Sequence, residues 1–124
     1  MVYLYAKVVG VVLTLLGLVG LLAGEGYLFG IFNVDLFEDV LHLGTGLALL
    51  YAGFGSSGEP FTRTAVLVLS LAYLLYALVG LIYSPLLGFL PDALTLVDNL
   101  FHLALGIAGV AIVELSRRTG SVKT

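Results

Sequence analysis

Two five-residue stretches decide the fold of this chain: residues 38–42 read EDVLH, and residues 98–102 read DNLFH. They lie sixty positions apart, and each opens a long apolar segment. His42 and His102 are the two histidines of the 124-residue protein. A duplicated element of this kind predicts an internal repeat, in which the rest of the chain is the scaffold that holds the two copies.

The composition predicts that lipid is the solvent of this chain. Hydrophobic residues make up 60% of the sequence and charged residues 10%, and the mean hydropathy is +1.16. A water-soluble domain of this size exposes much of its surface and cannot bury so much apolar area. Five Lys and Arg residues in a chain of net charge −3 give no basic surface for nucleic acid. The lack of cysteine excludes disulfides, thiolate metal sites and cysteine nucleophiles.

Four apolar segments are long enough for membrane helices, because about 20 residues at 1.5 Å each span a hydrocarbon core of about 30 Å. They cover residues 2–23, 35–54, 65–83 and 95–115. Residues 27–32 and 86–90 are short apolar stretches, the first of them predicted to lie in the membrane interface. Residues 116–124 are predicted to be a flexible polar tail. The predicted fold is all-α: a single-domain, integral membrane four-helix bundle.

The chain repeats itself without a gap. Adding sixty to a position pairs Gly20 with Gly80 and His42 with His102. Each half, about residues 1–60 and 61–115, is then a helical hairpin. Both hairpins have the same orientation in the membrane, so a pseudo-two-fold axis along the membrane normal relates them. This symmetry predicts that the two histidines lie at the same depth.

Small residues predict which helix faces pack together. In lipid, helices associate by close packing at small side chains, and a seven-residue period suits left-handed crossings. The faces with the histidines are predicted to point into the bundle, since ionisable groups inside membranes almost always face inward. The predicted packing residues recur at heptad spacing or at matching positions of the two halves: Gly10, Gly17, Gly46, Ser70, Ala77 and Gly106.

The charges predict the orientation in the membrane. Lys7, Arg63 and the basic residues after Leu115 lie on the side that carries both termini, whereas the opposite side carries acidic residues and no base. Cytoplasmic segments near membrane helices collect Lys and Arg. We expect an integral cell-membrane protein with both termini in the cytoplasm and the doubled element near the outer face.

The doubled pattern resembles that of a known family. It consists of Asn or Asp, two apolar residues, His, and then Leu-x-x-Gly; residues 39–46 read DVLHLGTG and residues 99–106 read NLFHLALG. It is similar to small bacterial and archaeal four-helix membrane proteins catalogued as domain of unknown function 4383, over nearly the whole chain. The resemblance implies the four-helix fold and brings no activity with it. Asp39 departs from the Asn typical of the family, which adds a charge beside His42.

The polar residues of the doubled element are the candidate site. They are Glu38, Asp39, His42, Asp98, Asn99 and His102. In the first interpretation they form a polar clasp: Asp39 or Asn99 orients the imidazole three positions later, and each histidine bonds across helices. The protein would then be a non-enzymatic structural or accessory subunit without a cofactor. Its partners would be the lipid bilayer and either further copies of itself or a larger membrane complex.

A ligand site is the alternative interpretation. Glu38 with His42, and Asp98 with His102, stand four positions apart, so two helices would offer two imidazoles and two carboxylates to a single zinc, iron or manganese ion. The two histidines are also the residue type that holds haem b. A proton relay or transport is the third interpretation, because intramembrane ionisable residues mark such paths. No nucleophile and base stand at a recognisable spacing, so no enzymatic activity is predicted.

Overall fold

A computed structural model describes residues 1–55, 58–82 and 94–121. In these residues the predicted all-α, four-helix fold is confirmed. The predicted apolar stretch at residues 86–90 lies outside the described residues. The helices are α1 (Val2–Ala23), α2 (Leu36–Phe54), α3 (Glu59–Ile82) and α4 (Leu96–Ser121), and a short hairpin of strands β1 (Gly26–Leu28) and β2 (Phe32–Val34) lies between α1 and α2.

Three helices are long and apolar enough to cross a membrane: Val2–Ala23, Glu59–Ile82 and Leu96–Thr119. The fourth, α2, has 19 residues, and its first two turns carry Glu38, Asp39 and His42, which lower its hydropathy. Large apolar side chains cover the outer surface of the helices; Leu22 is 88% exposed. Apolar surface of this extent needs lipid rather than water around it, so the fold indicates a membrane protein.

The helices pack mainly as two pairs, α1 against α2 and α3 against α4. Small residues allow the close approach. A Cβ added to Gly46 would stand 2.5 Å from the backbone nitrogen of Thr14, and one added to Gly106 would stand 2.8 Å from the carbonyl oxygen of Ser70. The six predicted packing residues, Gly10, Gly17, Gly46, Ser70, Ala77 and Gly106, are all buried.

Some positions sixty apart make similar contacts. A Cβ on Gly20 would overlap Oδ1 of Asp39, and a Cβ on Gly80 would overlap Oδ1 of Asn99. In both halves, then, a polar side chain near the start of one helix lies directly on a glycine of its neighbour. These contacts agree with the proposed duplication, which itself stays a prediction.

The hairpin is an element that the sequence pattern did not predict. Its strands are antiparallel, with Gly26 opposite Val34 and Leu28 opposite Phe32. Gly30 in the turn has a φ of 73°, a left-handed conformation that glycine adopts without steric cost. Strand pairing satisfies backbone groups of this segment, and it carries the segment across the end of the bundle where α2 and α4 begin.

The fourth helix continues to Ser121, six residues past the predicted end at residue 115. The prediction of a flexible tail from residue 116 is therefore wrong for residues 116–121. Ser116 is buried; its hydroxyl donates to Glu59 at 2.9 Å, and its carbonyl accepts from Arg63 at 2.7 Å. These bonds tie the end of α4 to the start of α3 and keep the chain helical.

Candidate functional site

The first half of the site is built at the start of α2. Asp35 is the N-cap, and its side chain accepts a hydrogen bond from the backbone N–H of Glu38 at 2.8 Å. This satisfies one of the amides that a helix start leaves unpaired. Glu38 and His42 follow one turn apart and are both buried, so the cap fixes where their side chains enter the bundle.

The second half begins with a capping box at the start of α4. The hydroxyl of Thr95 accepts from the backbone N–H of Asp98 at 3.1 Å, and the Asp98 carboxylate accepts from the backbone N–H of Thr95 at 2.8 Å. The same carboxylate also accepts from the backbone N–H of Asn33 in β2, at 3.1 and 3.3 Å. Asp98 therefore serves as a cap and as an anchor for the hairpin.

The two histidines meet inside the bundle. Their Nε2 atoms are 3.2 Å apart, with the rings tilted by 49°. Oε1 of Glu38 lies 3.6 Å from Nε2 of His102. One ligand atom from each of these three residues lies within 4.8 Å of the other two, so two imidazoles and one carboxylate lie close together.

Aromatic rings enclose His102. Tyr73 stacks on its imidazole at 5.2 Å between ring centroids, and Tyr76 lies at 5.0 Å. Phe101 lies 6.4 Å from His42 and meets it edge-on. The hydroxyl of Tyr73 is 2.7 Å from that of Thr45. This wall keeps lipid and water from His102 and restricts the orientation of its ring.

Several polar atoms of the site are buried without a hydrogen-bond partner among the described residues. They include Oε1 of Glu38 and Nδ1 of His102. The other oxygen of Glu38 receives one long bond of 3.5 Å from the Asn33 side chain, whose shorter bond, 2.6 Å, goes to Asp35. An unpaired buried carboxylate oxygen is costly, so this arrangement favours a further group at Oε1.

Four buried carboxylates gather at this end of the bundle, those of Asp35, Glu38, Asp39 and Asp98. The ion pairs that the described residues make with Arg lie at the other end, at Glu59 and Glu114. Buried charges in proteins are normally paired or bound to metal. With all four carboxylates ionised, the cluster would carry an excess of negative charge that a cation would offset.

Asp39 and Asn99 take different places from the one predicted. The side-chain amide of Asn99 donates to the carbonyl of Thr95 at 3.1 Å, within its own helix. Asp39 lies on Gly20 and lines a cavity of about 20 Å³ beneath the hairpin, together with His42 and Asp98. Neither side chain makes a described hydrogen bond to an imidazole, so the predicted cap on each histidine is not formed.

The site lies within a family domain. The profile described as Domain of unknown function (DUF4383) matches residues 3–115. The chain belongs to the DUF4383 family. This confirms the resemblance drawn from the doubled pattern, whereas no curated protein and no solved structure is significantly similar to the chain. The description of DUF4383 gives no activity, so the function has to be argued from the geometry.

In this DUF4383 chain the structure brings together three of the six predicted site residues, Glu38, His42 and His102. The predicted second pair, Asp98 with His102, is replaced by a contact between His102 and Glu38 of the other helix. Sequence reasoning missed Asn33, which contacts three of the carboxylates. A polar residue inside an otherwise apolar stretch, two positions before the helix cap, was the available signal.

Proposed function

We propose that this protein binds one divalent transition-metal ion between Glu38, His42 and His102. The observation that carries the proposal is the spacing of the ligand atoms: 3.2 Å between the two Nε2 atoms and 3.6 Å from Oε1 to Nε2 of His102. Ligands held about 2.0–2.1 Å from a tetrahedral zinc ion stand about 3.3–3.4 Å from one another. These two distances lie on either side of this value, whereas the ligand atoms of Glu38 and His42 are bounded only by the 4.8 Å limit of the group. A side-chain rotation that brings Glu38 closer to His42 would complete the ligand set.

The charge of the site supports the same proposal. A divalent cation offsets part of the negative charge of the four buried carboxylates and gives Oε1 of Glu38 the partner that it lacks. Two imidazole nitrogens and a carboxylate oxygen are ligands suited to zinc, and also to iron or manganese. We therefore take zinc as the probe ion.

The polar clasp is the second candidate, because 3.2 Å between the two nitrogens also fits a hydrogen bond in which one imidazole donates to the other. The clasp leaves Oε1 of Glu38 without a partner, however, whereas the metal accounts for it. The same distance argues against haem b, whose two axial histidines bind on opposite faces of the macrocycle; nitrogens in direct contact leave no room for it.

We infer a non-enzymatic role for the protein, as a structural or accessory subunit that holds the ion within the lipid bilayer. The positions of Lys7 and Arg63, at the end opposite the carboxylates, support a cell-membrane orientation with both termini in the cytoplasm. The ion would then lie near the outer face. The apolar faces of the helices support association with other membrane helices, either of the same chain or of a larger complex.

Measurement of bound metal tests the proposal. The detergent-purified protein is loaded with Zn²⁺, washed and analysed for metal content, and its affinity is measured against a competing chelator. We expect one ion per chain, lost in His42→Ala and His102→Ala. Glu38→Gln should weaken binding by about tenfold or more, which corresponds to about 1.4 kcal/mol.

Glu59→Gln is the matched control, because Glu59 bonds Arg63 and Ser116 at the other end of the bundle. It should leave zinc binding unchanged. A folded wild-type protein that retains no zinc, or a Glu38→Gln variant that binds zinc as tightly as wild type, would overturn the metal proposal and leave the polar clasp.

A further inference from the structure

We propose that the fourth coordination position of the metal ion has no protein ligand and holds one water molecule. The Asp39 carboxylate accepts a hydrogen bond from this water in the cavity beneath the hairpin. The inference rests on the proposed metal function and deepens it, because it says what the site can exchange. It makes Asp39 a positioning residue and not a metal ligand.

The number of protein ligands leaves the fourth position open. Glu38, His42 and His102 supply three ligand atoms. Zinc sites with three protein ligands, including those with two histidines and a glutamate, keep a water in the fourth position. Asp98 is held at the start of α4 by its bonds to Thr95 and Asn33 and does not belong to the group of three ligand residues.

Among the four carboxylates of this cluster, Asp39 is the one that receives no hydrogen bond from the described residues. Asp35 receives bonds from the Glu38 backbone and the Asn33 side chain, and Asp98 receives bonds from Thr95 and Asn33. Asp39 is 6% exposed, and no described residue donates a hydrogen bond to its side chain. Buried polar groups normally have a hydrogen-bond partner, and a small donor such as water would supply one to this carboxylate.

The cavity beside it has the size of one water molecule. Its volume is about 20 Å³, and a water needs roughly 10–15 Å³ together with two or more polar partners. His42 lines this cavity and is also one of the three ligands, so the cavity adjoins one of the residues that would hold the ion. The metal and Asp39 would be two partners of the water, whereas a larger substrate has no room.

The charge of Asp39 makes the fourth coordination position selective for water over small anions. A water molecule can bind the metal and donate a hydrogen bond to the carboxylate. A small anion at the same position has no proton to donate and meets a negative charge at close range, which is unfavourable in a site of low polarity. Asp98 lines the same cavity, but hydrogen bonds from Thr95 and Asn33 offset part of its charge. We therefore expect Asp39 to exclude anions from the position more strongly than Asp98 does.

The second half of the chain offers a matched control for this charge. Asn99 lies on Gly80 as Asp39 lies on Gly20, but its amide donates to Thr95 and it does not line the cavity. Asp39→Asn removes the charge beside the open position, and Asn99→Asp adds one at the equivalent position away from it.

The test uses the full-length protein in detergent, loaded with Co²⁺, whose visible spectrum reports the ligands, and titrated with azide. We expect the wild-type and Asn99→Asp spectra to stay unchanged, and the Asp39→Asn spectrum to shift on azide addition while the metal stays bound. Equal azide responses of wild type and Asp39→Asn would overturn the inference. Failure of the wild type to bind Co²⁺ and Zn²⁺ would instead remove the proposed function itself.

A second measurement on the wild type does not depend on the folding of a variant. With Mn²⁺ as the bound ion and D₂O as the solvent, electron spin echo spectroscopy detects the deuterons of a coordinated water. Mn²⁺ takes more ligands than Zn²⁺, so we expect the signal of at least one coordinated water. A bound Mn²⁺ without this signal would also overturn the inference.

Discussion

The side chains of Glu38 and Asp98 differ in length by one methylene group, and the two residues have different roles. Each stands three residues after a helix cap, Asp35 in α2 and Thr95 in α4. The short side chain of Asp98 turns back to the Thr95 backbone, whereas the longer one of Glu38 extends into the bundle, to 3.6 Å from His102. A nearly symmetric sequence thus yields an asymmetric site with two imidazoles and one carboxylate.

Shortening Glu38 tests this difference. In Glu38→Asp the carboxylate should retract towards the start of α2, where it can cap as Asp98 does, and its distance from His102 should increase. We expect zinc affinity to fall by about tenfold or more, while thermal stability without metal stays the same or rises because the buried unpaired oxygen is removed. Chelator competition and thermal unfolding in detergent measure the two effects. Zinc affinity equal to that of the wild type would contradict the assigned role of side-chain length.

Sequence spacing predicted part of this site. Residues four apart share a helix face, which placed Glu38 with His42, and the sixty-residue repeat predicted His102 at the depth of His42. The repeat also suggested two equivalent pairs, which was wrong. Whether a carboxylate caps its own helix or points across the bundle depends on side-chain length and rotamer, which spacing does not resolve.

At the scale of elements, the hairpin closes the site and joins its two halves. Asn33 in β2 reaches Asp98 of α4 through its backbone and Asp35 at the start of α2 through its side chain. Phe32 packs edge-on against Phe101 at 6.2 Å between centroids. The hairpin therefore fixes how the starts of α2 and α4 lie relative to each other. Strands of three residues are too short for a recognisable alternation, which is why the sequence pattern did not predict them.

Asn33→Ala tests the contribution of the hairpin to stability. The substitution removes the side-chain bonds to Asp35 and Glu38 and keeps the backbone bond to Asp98. We expect a loss of about 1.5–3 kcal/mol in the free energy of unfolding, since the main bond lost goes to a charged group. Denaturant unfolding in detergent measures it. Tyr27→Ala in β1 is the control, because Tyr27 is 62% exposed and should cost about 0.5 kcal/mol or less. Equal losses in the two variants would show that the Asn33 bonds do not hold the hairpin.

At the scale of the whole molecule, the fold was the most predictable feature. Hydropathy and segment length predicted four helices, because lipid as a solvent requires long apolar segments with internally paired backbone groups. The helix ends were less predictable. Ser116 extends α4 through bonds to Glu59 and Arg63, which lie more than fifty positions away and leave no trace in the local composition around residue 116.

The two ends of the bundle differ in charge. Buried carboxylates lie at the starts of α2 and α4, where the positive ends of the helix dipoles stabilise them. At the other end, the Lys7 ammonium group lies 4.5 Å from the centre of the Phe54 ring, and Arg63 bonds Glu59 and Ser116. This separation would place the carboxylate end, with the proposed metal site, on the outer side of the membrane if basic residues stay in the cytoplasm.

Single-cysteine labelling tests the orientation, because the chain has no cysteine of its own. Tyr27→Cys places a reporter on the exposed hairpin, and Arg117→Cys places one near the end of α4. With a membrane-impermeant maleimide we expect Tyr27→Cys to react in intact cells and Arg117→Cys to react only after lysis. The reverse pattern would contradict the predicted orientation and would place the carboxylate end in the cytoplasm. The expected pattern means that Glu38, His42 and His102 would take their metal ion from outside the cell, through the end of the bundle that the hairpin covers.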